Sequence, residues 1–195
     1  QIYIGGDSHG SWLTLQLERY VRAHKQLVYS DPASARVPGL ILLSPWIAPR
    51  DMSFKSREAN VRQDIINLSY EDWGVNAAGL LKLPIPLSDP WLTHCNKSLA
   101  EFASMPPAFV ANGGVEVLLD EGQHFVNLLR KAKNLPTSTS NQRVTLSPGE
   151  LNSKVVHHVY PYMVHDYFTV DTEVAKAKQT YKQIGSWLKY TQTLL

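Results

Sequence analysis

The stretch Tyr3-Ile4-Gly5-Gly6-Asp7-Ser8-His9-Gly10-Ser11-Trp12 sets one serine between two glycines, just after an apolar run and just before a helical pattern. A G-x-S-x-G pentapeptide in that setting can form a nucleophile elbow. A strand that turns abruptly into a helix crowds the residues on either side of the apex, so Gly6 and Gly10 leave Ser8 on a strained, exposed tip. The helix that follows aims its unpaired N–H groups and the positive end of its dipole at the same place. The N–H of His9 would then meet the oxygen of a substrate carbonyl as that oxygen gains charge.

A nucleophilic serine needs a base, and the base needs an acid to orient it. His9, His24, His94, His124, His157, His158 and His165 are the available histidines. His165 follows the strand-like run Lys154–Tyr160, at the carboxyl end where α/β proteins gather their active groups. His157 and His158 lie inside that run, one expected to face the core and the other a helix. His24 and His124 fall in helical patterns, and His9 cannot easily turn back on its neighbour's hydroxyl. His94, in an irregular segment, is the least firmly excluded. For the acid, Gly113-Gly114-Val115-Glu116-Val117-Leu118-Leu119-Asp120-Glu121-Gly122 offers three carboxylates. Glu116 comes first after a strand end. Asp120 and Glu121 read as the cap and first turn of the next helix, where negative charge is favoured anyway.

These groups must be positioned by a sheet. Short apolar runs bounded by turn residues predict strands at 1–4, 39–44, 108–112 and 154–160. The continuous apolar character of the second and third suits a parallel sheet covered on both faces. Helical spacing predicts a helix over 11–25 with Leu13, Leu17, Tyr20 and Val21 as its stripe. A second, over 121–133, carries Phe125, Leu128 and Leu129. A third, over 172–190, carries Val174, Ala177, Tyr181, Ile184 and Leu188. Alternating strands and helices imply an α/β fold with right-handed crossovers. Residues 51–90 form an excursion over the sheet that can shape a pocket, with a helix over 69–83 ended by Pro84 and Pro86. Residues 134–153, rich in Ser, Thr, Asn and Pro, read as a long exposed loop.

With 195 residues, 44% of them hydrophobic, the chain can bury the core of one domain. A net charge of +2 with 18% charged residues points to neither a nucleic-acid nor a membrane partner. Arg130, Lys131 and Lys133 are the nearest to a basic cluster and read as a solvated helix face. No apolar stretch is long enough to span a bilayer, and no H-E-x-x-H or comparable metal-ligand spacing occurs. Neither a metal nor another cofactor is expected. Cys95, the only cysteine, reads as a buried thiol. Two N-glycosylation patterns, Asn67-Leu68-Ser69 and Asn96-Lys97-Ser98, tilt the expected location slightly toward the secretory route.

The motifs, in order, resemble the hormone-sensitive-lipase-like branch of the α/β-hydrolase fold, which includes fungal esterases and steryl ester deacetylases. Gly6-Asp7-Ser8-His9-Gly10 is similar to that branch's G-D-S-A-G nucleophile motif, and Leu42-Leu43-Ser44-Pro45-Trp46 to its S-P-W turn. Ser88-Asp89-Pro90 resembles its D-P element. Pro106-Pro107 with Glu116–Gly122 resembles its D-P-L-x-D-E-G acid segment, and Tyr160-Pro161-Tyr162-Met163-Val164-His165 its Y-P-G-M-x-H motif. The resemblance implies a serine esterase or lipase with Ser8, Glu116 and His165 as triad and His9 as an oxyanion donor. Asp7, Trp46, Trp73 and Trp91 are then candidate substrate contacts, although tryptophans of this kind are more often plain core residues.

Glutamate stands where the family usually has aspartate, and His9 and Ser11 replace smaller residues. The family's H-G-G-G oxyanion loop has no counterpart. The resemblance therefore implies that Gln1 is internal to a longer protein, that residues 1–195 are one incomplete catalytic domain, and that a companion segment completes it. Such a domain alone is expected to be inactive. Its substrate would be a small-molecule or lipid ester. A catalytically silent receptor or interaction module, and an amidase or deacetylase on the same triad, stay open as alternatives.

Overall fold

The computed structural model describes residues 2–31, 36–136, 147–170 and 175–194. Four parallel strands, β1 (Ile4–Asp7), β2 (Leu40–Leu43), β3 (Ala108–Gly113) and β4 (Val155–Tyr160), form one sheet in the order β1-β2-β3-β4. In register, Asp7 lies opposite Leu43, Leu43 opposite Ala111, and Ala111 opposite His158. Because all four strands run the same way, the segments leaving their carboxyl ends meet along one edge. The first strand starts later than its apolar residues suggest and runs through Gly5 and Gly6 to Asp7. Glycine is a poor strand former in isolation, but pairing with β2 overrides that preference.

Successive side chains of β2 and β3 feed two different cores, as the two-residue period of a strand requires. On one face Leu40, Leu42, Ala108 and Val110 pack with helices α1 (His9–Ala23), α5 (Leu99–Ser104) and α6 (Leu119–Ala132), through Leu15, Phe102, Phe125 and Leu129. On the other, Ile41, Leu43, Phe109 and Ala111 pack with α8 (Tyr167–Val170) and α9 (Ala175–Gln192), through Phe168 and Trp187. Three further helices are short: α2 (Lys25–Val28), α3 (Ser56–Ala59) and α7 (Pro148–Leu151). The helix α4 (Leu68–Ala77) stands in the excursion.

Several expected elements differ. In α1 the buried side is Ser11, Thr14, Leu15, Glu18 and Val21, whereas Leu13, Leu17 and Tyr20 are about half exposed. The polar side can face inward because its groups are satisfied: Ser11 Oγ donates to Gly6 O, Thr14 Oγ1 to Gly10 O, and Glu18 pairs with Arg22. Small hydroxyl side chains also let the helix lie close to the strand before it. In α9 the buried side is Ala177, Thr180, Gln183, Trp187 and Thr191, and Tyr181 faces out. Residues 172–174 lie outside the described residues. The α4 helix ends at Ala77, well before the prolines, because Gly79 takes a left-handed conformation (φ 69°) and starts a 3₁₀ turn over Leu80–Lys82. Of the loop expected over 134–153, residues 137–146 lie outside the described set, and α7 forms at its end under a Ser147/Glu150 capping box. Cys95 is buried with a free thiol.

The excursion is fastened by charge. Arg57, fully buried, pairs with Glu71 of α4 and with Glu121 of α6, and donates to Ala48 O at 2.9 Å. Glu121 accepts the Ile47 N–H at 2.7 Å, and Glu71 accepts both the Trp46 indole N–H and the Arg50 N–H. Neither Glu121 nor Asp120 is therefore a mere partner of the helix dipole. Glu121 is buried in this network, and Asp120 accepts the Ser56 N–H. Removing one member of a buried ion pair leaves the other charge stranded, at a cost of about 3–5 kcal/mol. Arg57→Met is expected to lower the unfolding free energy by about that amount, read as a shift of the denaturant midpoint.

Candidate active site

Ser8 sits where β1 turns into α1, with φ at 49° in the left-handed region. Its N–H donates to Leu43 O at 2.9 Å, and its own carbonyl accepts from Trp46 N and Ser11 N. A Cβ on Gly6 would run into the backbone of Gly10, so only glycine closes this elbow. The second glycine is not under the same constraint, because a Cβ on Gly10 would make only an ordinary 3.5 Å contact with Asp7 Oδ1.

The Ser8 hydroxyl and His165 Nε2 lie 2.8 Å apart and share a hydrogen bond. His165 is almost fully buried, and its Nδ1 faces Glu116 Oε2 at 3.9 Å. At that distance the contact is not a hydrogen bond, and Nδ1 has no hydrogen-bond partner. Glu116 has other partners: Ser44 Oγ donates to Oε2 at 2.7 Å, and Asn112 Nδ2 donates to Oε1. Asn112 is held in turn by the His157 Nε2–H at 2.9 Å. Burial, with Arg130 and His158 adding to it, lowers the His157 pKa to about 3, so this ring is neutral. His158 points the other way, to Gln183 of α9. The two strand histidines thus divide between the core and a helix, as expected.

Burial pushes the Glu116 carboxyl up to about 7, opposed by His165, Asn112 and Ser44. Both of its oxygens accept hydrogen bonds, an arrangement that suits the carboxylate. Burial alone would lower the His165 pKa. Asp166, Glu116 and Asp64 outweigh it, and the net direction is upward. Asp166 Oδ2 lies 3.2 Å from His165 Nε2, where it stabilises the protonated ring.

Ser8 and His9 open onto a cavity of about 410 Å³ whose walls include Trp46, Tyr70, Trp73 and Leu118. Two of the three expected tryptophans therefore meet at the site, Trp46 buried and Trp73 exposed. Trp91 does not; its ring lies under the Arg19 guanidinium at 3.5 Å, a cation–π contact that draws it onto α1. Asp7 is exposed at the strand end and is not part of the cavity lining. The His9 ring packs against Trp12 and Trp46 at 5.4 and 5.2 Å, and burial lowers its pKa. His94 is buried against Lys97, away from the cavity. Ser44, Asp64, Asn112 and Asp166 were not legible as site residues, although Ser44 lies in the S-P-W motif.

The model of a family described as the alpha/beta hydrolase fold matches residues 1–144. No curated protein matches the chain in sequence. Solved structures do match in shape. One is a Pyrobaculum calidifontis esterase, 16% identical with a TM-score of 0.69, matched over 99% of this chain and 52% of that one. Another is an esterase from the bacterial hormone-sensitive lipase family, 19% identical with a TM-score of 0.67, over 95% and 52%. A mutant of esterase rPPE complexed with (S)-Ac-CPA matches at 15% identity and a TM-score of 0.68, over 94% and 50%. The chain spans about half the length of these structures. On the family match and the shared architecture, the chain belongs to the alpha/beta hydrolase fold family.

Proposed function

We propose that the protein is a carboxylic ester hydrolase in which Ser8, His165 and Glu116 act as nucleophile, base and orienting acid. The observation that supports this most is the 2.8 Å contact from Ser8 Oγ to His165 Nε2 at the mouth of an apolar cavity. Ser8 Oγ attacks the ester carbonyl while His165 Nε2 takes its proton, and the carbonyl oxygen becomes an oxyanion facing the His9 N–H. Collapse of the tetrahedral species breaks the bond to the alcohol, which receives the proton from His165. Water, deprotonated by the same ring, then frees the acid and restores Ser8. Glu116 holds Nδ1–H in the useful tautomer once the 3.9 Å gap closes, a tightening that hydrogen bonds at unliganded sites commonly undergo on substrate binding.

Further oxyanion donors come, in this reading, from a companion segment seated on the edge of β1 that pairs with no other described strand and on Leu13, Leu17 and Tyr20 of α1. Loss of one such donor is worth on the order of 3 kcal/mol in the transition state, so residues 1–195 alone would turn over ester poorly. The unclosed Glu116–His165 contact also suits a silent receptor on the same fold. Fluorophosphonate labelling with peptide mapping distinguishes the two. Ser8 of the protein as isolated should be labelled, and that of residues 1–195 alone weakly or not at all. Folded protein unlabelled in both forms would support the receptor.

The pH profile supplies a second test. His165 must be neutral to act as base, and its pKa lies above the ordinary histidine value. The acid limb of kcat/KM should therefore fall at a pH above that of an ordinary histidine. Asp166→Asn removes a charge that favours the protonated ring, so its limb should move to lower pH.

A further inference from the structure

The acid and the base ride on separate loops, one leaving β3 and the other β4. Upstream of the catalytic groups these loops are joined by backbone bonds, Gly114 N to Tyr160 O and Val115 N to Met163 O. Ser44 adds a side-chain link, donating to Glu116 and accepting from Asp166 N at 3.1 Å. Neither arrangement holds the peptide N–H of His165 itself or the one directly after Glu116. Both of these are held by a single side chain from a third place, the excursion. Asp64 Oδ1 accepts the His165 N–H at 2.8 Å, and Asp64 Oδ2 accepts the Val117 N–H at 2.7 Å. A third bond, from Ile65 N to Oδ1 at 2.8 Å, fixes the carboxylate on its own backbone.

The excursion is braced where Asp64 needs it. Asn60 Nδ2 donates to Glu116 O at 2.9 Å, and Ser56 Oγ donates to Val117 O at 2.8 Å. Residues 56–64 thus run alongside the acid loop and are fastened to it at the successive carbonyls of Glu116 and Val117. Asp64 then reaches across to the base loop.

We propose that Asp64 is a positioning residue for the triad, its two carboxylate oxygens fixing how far the Glu116 carboxylate stands from the His165 ring. This rests on the hydrolase reading above. Only a carboxylate does this fully. An asparagine offers a single acceptor oxygen, so one of the two N–H groups would face an NH₂ group. An alanine releases both. The charge has a second effect, because Asp64, together with Glu116 and Asp166, favours the protonated form of His165.

The test uses Asp64→Asn and Asp64→Ala in the full-length protein, with hydrolysis of p-nitrophenyl acetate and fluorophosphonate labelling of Ser8 as readouts. A misplacement of about 1 Å in a catalytic group can cost on the order of 100-fold in rate. Asp64→Asn is expected to lower kcat by about tenfold or more, toward that limit, with KM little changed. Its acid limb in kcat/KM should also move to lower pH. Because Asp64→Ala is at risk of misfolding, NMR titration of the His165 ring in Asp64→Asn gives a readout independent of turnover, and its pKa should fall.

A kcat unchanged from wild type overturns the proposal. So does a loss of activity that follows thermal stability while the His165 pKa and the pH limb stay fixed. Wild-type protein that is folded but neither labelled nor active would instead overturn the hydrolase reading, and this proposal with it.

Discussion

A carboxylate that has to keep its charge inside a protein is the constraint around which this site is arranged. Glu116 is fully buried, and an isolated charge there would be far costlier than the few kcal/mol that hold a domain folded. The surroundings answer that demand layer by layer. Ser44 and Asn112 give the carboxylate a donor at each oxygen, and a neutral His157 fixes Asn112. Gly122 of α6 leaves the room; a Cβ there would come within 2.5 Å of Asn112 Oδ1. The imidazole is the last partner, and it is the one whose charge changes during the proposed reaction. The charge of the acid is thus coupled to the proton the ring carries, because His165 does more than Asn112 or Ser44 to oppose the rise that burial imposes on Glu116.

The same economy explains the excursion. A pocket wall that merely rested on the sheet would place Trp46 and Glu71 loosely. Here Arg57 ties both to the first turn of α6, which begins only three residues after Glu116. Pocket shape and acid placement therefore share one framework. Buried ion networks of this kind seldom add stability over a well-packed apolar core. What this one does is hold three chain segments in a single arrangement.

Sequence patterns carried the sheet and brought Ser8, Glu116 and His165 forward as candidates because each depends on short, local signals. A glycine-flanked serine between strand and helix, apolar runs of strand length, and a histidine just beyond a strand end all survive in one dimension. The network around these three residues does not. Asp64 lies 53 residues before Val117 and 101 before His165 in the chain, and nothing around it marks a carboxylate that will bridge two loops. Glu121 reads as a helix-start charge in the sequence because its buried partner, Arg57, is 64 residues away. The α1 stripe, which holds only at Val21, departs for another reason. Periodicity finds a face but not its direction, and hydroxyls that bond back to the elbow can face the core as readily as leucines.

That inverted helix separates two kinds of pressure on the sequence. Replacing Leu15 would open a void in a packed interior, and the chain could not tolerate it cheaply. Leu13 and Leu17 fill no such space among the described residues, so serine or lysine there would leave the core as it stands and reduce exposed apolar area. The folding of these residues by itself gives no reason for leucine at either position. Variation along this helix across related chains would therefore report what rests on its outer face, while variation at Ser11, Thr14 and Leu15 would report the fold.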